Sequence, residues 1–600
     1  MLVVCIAPAV PTQHLLTPGG TLLPAVPTRW ELPSPPPSAL RVRFNWLHPV
    51  VVQILYNRGL VEPDEVAEFF GQFVPDDDPF AMRGIPEAVE YLRRAIRQRT
   101  PIAVYGDFDA DGVTATVLMV QTLRAFGADV MPYIPHRVDE GYGLNNEALA
   151  WLHRQGIQLV LTVDCGIRAV EEVQFARSLG LEIIVSDHHS LGPTLPPAHA
   201  VINPRHPQSS YPFKHFAGVG VAYKLAQALL REEEREPCAR QPVVLGEERL
   251  LDLVALGTVA DIMPLRGENR RLVQKGLEQL NRGVRPGVRA LARKAHVELG
   301  QIDATAIGFR LAPRLNAAGR LDTAAIAYDL LMAPDDATAE PIAADLDRWN
   351  KERQRLTEEA YRWAILELGQ DPPDHALFVG REDLNPGIVG LVASRLKDTY
   401  YRPALVVELG DVEVRGSARS IPEFHITRAL DRCADLLVRY GGHAAAAGFT
   451  VRRELLPQLR RRLNAIAAEQ LDPEDRAHKL AIDAVVCLRD LDWALLGKLR
   501  ELEPTGSENP PALLAVPDLL VRSYRKVGSN GDHLKLKLTD GYLTFDAIAF
   551  GRGDLADAMP MRVDVACRLD ENQYQGRRSL QLVIEDIKPA GRGIPSTYRF

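Results

Sequence analysis

The segment Gly106-Asp-Phe-Asp-Ala-Asp-Gly112 places three carboxylates, Asp107, Asp109 and Asp111, at alternating positions in one short turn. Hard oxygen donors at that spacing can converge on a divalent cation, although an aspartate at 109 or 111 also suits a helix N-cap. Three further segments supply matching groups: Asp164 in Thr162-Val-Asp-Cys-Gly166, the run Asp187-His188-His189, and Asp261 at the end of Leu256-Gly-Thr-Val-Ala-Asp261. Asp164 also suits a helix cap, whereas Asp261 lies in an apolar stretch where an unpaired carboxylate is costly to bury. A nearby cation removes that cost. Several aspartates with one or two imidazoles and no thiolate fit a pair of Mn²⁺ or Mg²⁺ ions better than a structural zinc. Paired cations of this kind activate water and stabilise in-line displacement at phosphorus, so the expected chemistry is phosphoester hydrolysis.

The chain around these residues shows how they can meet. Ile102-Ala-Val-Tyr105, Leu159-Val-Leu-Thr-Val163 and Ile183-Ile-Val-Ser186 read as buried strands, and the amphipathic stretches between them read as helices, Val113 to Phe126 among them. The alternation predicts an α/β fold with a parallel sheet across residues 84–334. Each strand runs straight into one of the polar clusters, and open parallel sheets bind ligands at the carboxyl ends of their strands.

The other segments differ in character. Residues 1–40 hold nine prolines and read as a disordered Pro-rich tail, and residues 41–83 as an N-terminal cap of two helices joined at Gly59. The charged helical pattern over 335–370 predicts a connecting helix. A smaller α/β domain is expected over 371–470, with strands at Ala376-Leu-Phe-Val379 and Ala404-Leu-Val-Val407. Short strand-like segments over 471–600 predict a C-terminal β-barrel of OB-like type.

Composition narrows the function classes. At 600 residues, with 46% hydrophobic and 25% charged, the chain is a multidomain globular protein, and its net charge of −8 excludes a uniformly basic nucleic-acid coat. Contact with DNA must then use a local patch. The six cysteines form no CxxC pair, and no stretch is long and apolar enough for a membrane span, so a cytoplasmic location is expected.

In their order along the chain, the aspartate and histidine motifs resemble those of the DHH phosphoesterase superfamily. Arg314-Leu-Asn-Ala-Ala-Gly-Arg320, Gly387-Ile-Val-Gly-Leu-Val-Ala-Ser-Arg395, Gly416-Ser-Ala-Arg-Ser420 and Gly441-Gly-His-Ala-Ala-Ala-Ala-Gly448 are similar to the associated DHHA1 domain. With the β-rich end, the resemblance spans residues 41–590 and falls within the RecJ family of that superfamily. It implies a 5′→3′ single-stranded DNA exonuclease that releases 5′-mononucleotides with two Mn²⁺ or Mg²⁺ ions, in DNA repair and recombination. By this resemblance Asp107, Asp109, Asp111, Asp164, His188 and Asp261 would be metal ligands, with Asp164 bridging, and His189 would face the scissile phosphate.

The resemblance also implies a set of DNA contacts. Arg137, Arg314, Arg320, Ser417, Arg419, Ser420 and His443 would line a cleft between two domains and fix the 5′ end, with Arg137 and Arg320 equally readable as interdomain ion pairs. In the barrel, Arg522, Tyr524, Arg525, Lys526, His533, Lys535 and Lys537 are candidates to track a single strand. Implied partners are single-stranded DNA, a single-strand-binding protein and a RecQ-type helicase. Two positions depart from the family pattern: Asn385 replaces a usual histidine, and Pro504-Thr-Gly506 replaces Pro-Phe-Gly. Two rival readings are a phosphodiesterase of oligoribonucleotides or cyclic dinucleotides, which usually lacks a barrel, and a non-catalytic scaffold, which tends to lose ligands.

Overall fold

The structure is a computed structural model describing residues 26–595 apart from 27, 76, 138, 473, 474, 476, 529 and 575. The chain divides into two units, one formed by Glu62–Arg353 with Pro504–Pro510, the other by the remaining segments.

The first unit is built on a five-stranded, all-parallel sheet in the order Val130–Tyr133, Ile102–Tyr105, Leu159–Val163, Glu182–Ser186, Ala200–Ile202. Alternate side chains of one strand feed two cores. Ile102 and Val104 join the helices Ala110–Ala125, Gly218–Arg235 and Leu251–Ala260, while Ala103 and Tyr105 join Asn146–Arg154 and Val170–Ser178. Burial on both faces is why these strands read as near-continuous apolar runs. The three strands that precede the polar clusters are neighbours in the sheet, so their carboxyl ends meet at one edge.

The second unit holds two larger sheets beside a two-stranded pairing. One is mixed, ordered Leu437–Gly442, Ala446–Arg452, Glu413–Arg419, Ala404–Leu409, Leu377–Arg381, and only its last pair is parallel. The other closes a barrel from Leu514–Val527, His533–Thr539, Thr544–Ala549, Arg577–Pro589 and Arg562–Tyr574, with the first strand pairing back onto the last. The expected OB-like barrel is therefore present. The expected connecting helix is Asp336–Leu368, with Pro341 in its early turns.

Two expectations are corrected. Residues 28–40 are ordered: Thr28–Glu31 is a strand pairing in parallel with His478–Ala481, and helix Ser38–Arg43 follows. Trp30 is buried there and its Nε1 donates to Asp586 at 2.8 Å, a partner 556 residues away that no local pattern announces. The rest of the expected tail lies outside the described residues. The two helices expected to form one cap also separate. Asn57 in helix Pro49–Asn57 donates to the Asp483 carbonyl at 2.7 Å in the barrel unit. Glu68 in helix Pro63–Phe69 instead pairs with Arg271 at 2.5 Å in the parallel-sheet unit.

Candidate metal centre

The turn after Ile102–Tyr105 folds as it does because Asp109 caps the next helix. Its Oδ1 accepts from the amides of Asp111 at 2.9 Å and Gly112 at 3.1 Å, and Asn316 Oδ1 accepts from the Ala110 amide at 2.7 Å. The cap leaves Asp109 Oδ2 available, so capping and ligation are compatible. Asp111 is held by backbone: its carboxylate accepts from the Gly218 amide at 2.6 Å and the Val219 amide at 2.9 Å. Asp164 follows its strand at φ 63°, a left-handed conformation that turns its side chain back over the strand ends. A Cβ on Gly218 would sit 2.4 Å from that carboxylate, and one on Gly257 would sit 2.8 Å from Asp111 Oδ1, so these glycines make the room the acids occupy.

Around this cradle the histidines close in. His188 Nε2 lies 3.1 Å from Asp164 Oδ1, 3.7 Å from Asp261 Oδ2 and 3.9 Å from Asp111 Oδ2. His189 Nδ1 lies 2.7 Å from Asp187 Oδ1, which also accepts from the amides of His188 at 2.7 Å and His189 at 3.0 Å. Ligand atoms of Asp111, His188 and Asp261 fall within 4.8 Å of one another, as do those of Asp107, Asp109 and Asp164. The structure thus brings together every aspartate and histidine of the four motifs.

The electrostatics of the cluster call for cations. Burial, then repulsion from Asp109, raises Asp107 well above the usual carboxylate range and Asp111 to about 7. Burial, then repulsion from Asp111, likewise raises Asp164 strongly and Asp261 to about 9. Asp107 Oδ1 and Asp164 Oδ1 are buried and accept no hydrogen bond. Oxygens that are buried, crowded and unsatisfied are what hard divalent ions neutralise, so this donor set fits the expected metals. Burial also pushes His188 down to about 3, leaving it neutral and able to ligate. Burial opposes the charged form of His189 too, yet the hydrogen bond and charge of Asp187 outweigh it and raise the imidazole to about 9.

Sequence reasoning missed several supports. Tyr142 places its hydroxyl 3.1 Å from His189 Nδ1 and donates to the Asp164 carbonyl at 3.4 Å. Asn203 Nδ2 donates to the His189 carbonyl at 3.0 Å. Their positions depend on long-range packing. The signal for Asp187 was in its motif, but its task of orienting His189 was not.

The expected phosphate contacts divide between the units. In the first, Arg137 lies 4.7 Å over the Phe108 ring, where the charges of Asp107 and Asp109 favour its ionised form. Arg320 is half-buried in helix Ala312–Leu321, whose Gly319 abuts the Phe108 carbonyl. Arg314 donates to Asp347 at 3.0 Å and to the Arg310 carbonyl at 2.6 Å, which gives it a structural task beside the one expected. In the second, Arg419 donates to Ser417 Oγ at 2.9 Å, and Gly390 leaves space over both. The Ser420 hydroxyl is buried and donates to the Phe424 carbonyl at 2.6 Å, so its one donor is spent inside the fold. His443 is exposed on a hairpin whose backbone is pinned by Ala446 and Thr427. Asn385 accepts from the Gly387 amide at 2.8 Å, capping the turn where the family pattern has histidine.

Comparison with known proteins agrees with this geometry. The DHH family N-terminal domain matches residues 101–258, the DHHA1 domain 374–469 and the RecJ OB domain 482–586. The single-stranded-DNA-specific exonuclease RecJ of Bacillus subtilis is 39% identical over 567 residues, covering 93% of this chain and 70% of its own. The chain belongs to the RecJ family. Its Escherichia coli member, of the same description, is 35% identical over 90% of this chain and 96% of its own. The crystal structure of the Thermus thermophilus RecJ in complex with Mn²⁺ superposes with a TM-score of 0.80 at 33% identity, over 94% of this chain and 79% of that one. A Mg²⁺ complex of the same protein gives 0.75.

Proposed function

We propose that this chain is a metal-dependent exonuclease that degrades single-stranded DNA from 5′ to 3′ and releases 5′-mononucleotides, in DNA repair and recombination. The observation that carries the reading is the cluster of buried acids around His188, with oxygens no hydrogen bond satisfies. A scaffold without cations would keep that repulsion for no gain, and the barrel argues against a small oligoribonucleotide phosphodiesterase.

In this reading Asp107, Asp109 and Asp164 would hold one Mn²⁺ or Mg²⁺ ion and Asp111, His188 and Asp261 the other. Bound cations supply Lewis acidity and lower the pKa of water. The protein's own groups do the rest. Asp187 and Asn203 orient His189, whose protonated ring offers positive charge to the phosphate. Arg137, Arg320, Ser417, Arg419 and His443 bind phosphates, guanidinium being suited to bidentate contact. On the barrel, Arg525 and Lys535 are paired directly opposite one another, an arrangement that a strand phosphate relieves. A nuclease confined to single strands needs its duplex opened, so a single-strand-binding protein and a RecQ-type helicase fit as partners. A DNA substrate fits a cytoplasmic site of action, and among the described residues no helix is long and apolar enough to cross a membrane.

The test is incubation with single-stranded DNA labelled at its 3′ end, beside a duplex and an RNA, with Mn²⁺ or EDTA. Metal-dependent shortening of the DNA single strand from its 5′ end is expected. Binding without cleavage would favour a scaffold, and cleavage confined to short RNA would favour the small phosphodiesterase.

A further inference from the structure

Helix Leu251–Ala260 ends on Asp261 and closes with two reverse hydrogen bonds, from the Ile262 amide to the Val259 carbonyl and from the Met263 amide to the Thr258 carbonyl, each 3.2 Å. This closure requires a left-handed middle residue, and Ile262 has φ 57°. Five other helical turns close with the same pair of bonds, at Gly59, Gly71, Gly127, Gly156 and Gly180, and each uses glycine. Arg99 and His296 take the position elsewhere, but neither is branched at Cβ. Among the described non-glycine residues at positive φ, Ile262 is the one β-branched side chain. Branching there is a steric penalty that glycine or asparagine avoids.

Folding returns nothing for that strain, because 74% of Ile262 is exposed. Strain and apolar exposure at one residue call for a gain outside the folded chain. The neighbouring carboxylate, Asp261, belongs to the acid and histidine cluster, so Ile262 stands at the rim of the site. Tyr142, whose hydroxyl lies beside His189, presents an exposed ring at the same site.

We propose that Ile262 is a specificity-determining contact, an apolar rest for the base of a nucleotide flanking the scissile phosphate. The proposal rests on the exonuclease reading above. Every base has an apolar face, so the contact tolerates any sequence, and a duplex withholds those faces inside its stack.

The test compares wild type and Ile262→Gly with Mn²⁺ on 3′-labelled single strands, either intact or abasic at the first or second nucleotide from the 5′ end, alongside thermal melting. Ile262→Gly is expected to melt higher, to lose about tenfold in kcat/KM on the intact strand, and to stop distinguishing intact from abasic at one position where wild type does. That position identifies the nucleotide contacted. A variant with wild-type kcat/KM, a variant that keeps the full abasic discrimination, or a wild type indifferent to both abasic positions overturns the proposal. Ile262→Asn, which tolerates the left-handed turn, carries the same outcomes if the glycine variant folds poorly. A wild type that cleaves no single strand would instead remove the exonuclease reading itself.

Discussion

Asp164 concentrates the tension of the site: it is buried, left-handed in backbone, crowded by other carboxylates and short of a hydrogen-bond partner. Asp164→Ala should lower hydrolysis by on the order of 10³-fold or more, because the chemistry rests on the cations. Melting in EDTA should not fall, since the lost carboxylate was repelled by its neighbours. A second outcome concerns pH. His189 is raised to about 9 by Asp187, so activity that needs its protonated ring is full below that value and declines as pH rises through it. In Asp187→Asn the alkaline limb should move toward the ordinary histidine value of about 6.5. A pH–rate profile that does not move would separate His189 from catalysis. These roles were only partly legible in the sequence. The ligand types and order were plain, because three of the four motifs sit where a buried strand stops and the fourth ends an apolar helix, whereas the direction of His189 is set by oxygens of Asp187 and Tyr142.

The elements that place these side chains do so through backbone and absent atoms. The amides opening helix Gly218–Arg235 grip Asp111, and the missing side chain of Gly218 admits Asp164. Gly218→Ala should therefore weaken Mn²⁺ binding about 10- to 100-fold, read by calorimetric titration, with little change in helix content. Strand and helix types were readable from period and burial. The grip was not, because Ala-Gly-Val-Gly in an apolar helix looks like ordinary close packing until the facing carboxylates are known. For the same reason Arg314 read as a phosphate ligand from its motif, while Asp347, which it pairs with, lies 33 residues further on.

Across the whole molecule, the chain passes between the two units at residues 61–62, 353–354, 503–504 and 510–511. Leu265 and Arg270 hold the carbonyls of Ser507 and Pro504 within the parallel-sheet unit, a segment drawn from late in the sequence. Trp30 ties the other unit together: its ring fills the space left by Gly593, and Lys588 donates to the Thr28 carbonyl at 2.6 Å. Trp30→Ala should cost about 3–5 kcal/mol in that unit, measured by denaturant unfolding, while the metal affinity of the parallel-sheet unit is unchanged.

The tie between Trp30 and Asp586 has a consequence during synthesis. Residues 62–353 leave the ribosome as one stretch and can bury their sheet early, but Thr28–Glu31 must wait for its strand partner His478–Ala481, and Trp30 for Asp586, 556 residues further on. Until then the nascent chain carries an unpaired strand edge and an uncovered tryptophan, a state that invites mispairing with neighbouring chains on the same message.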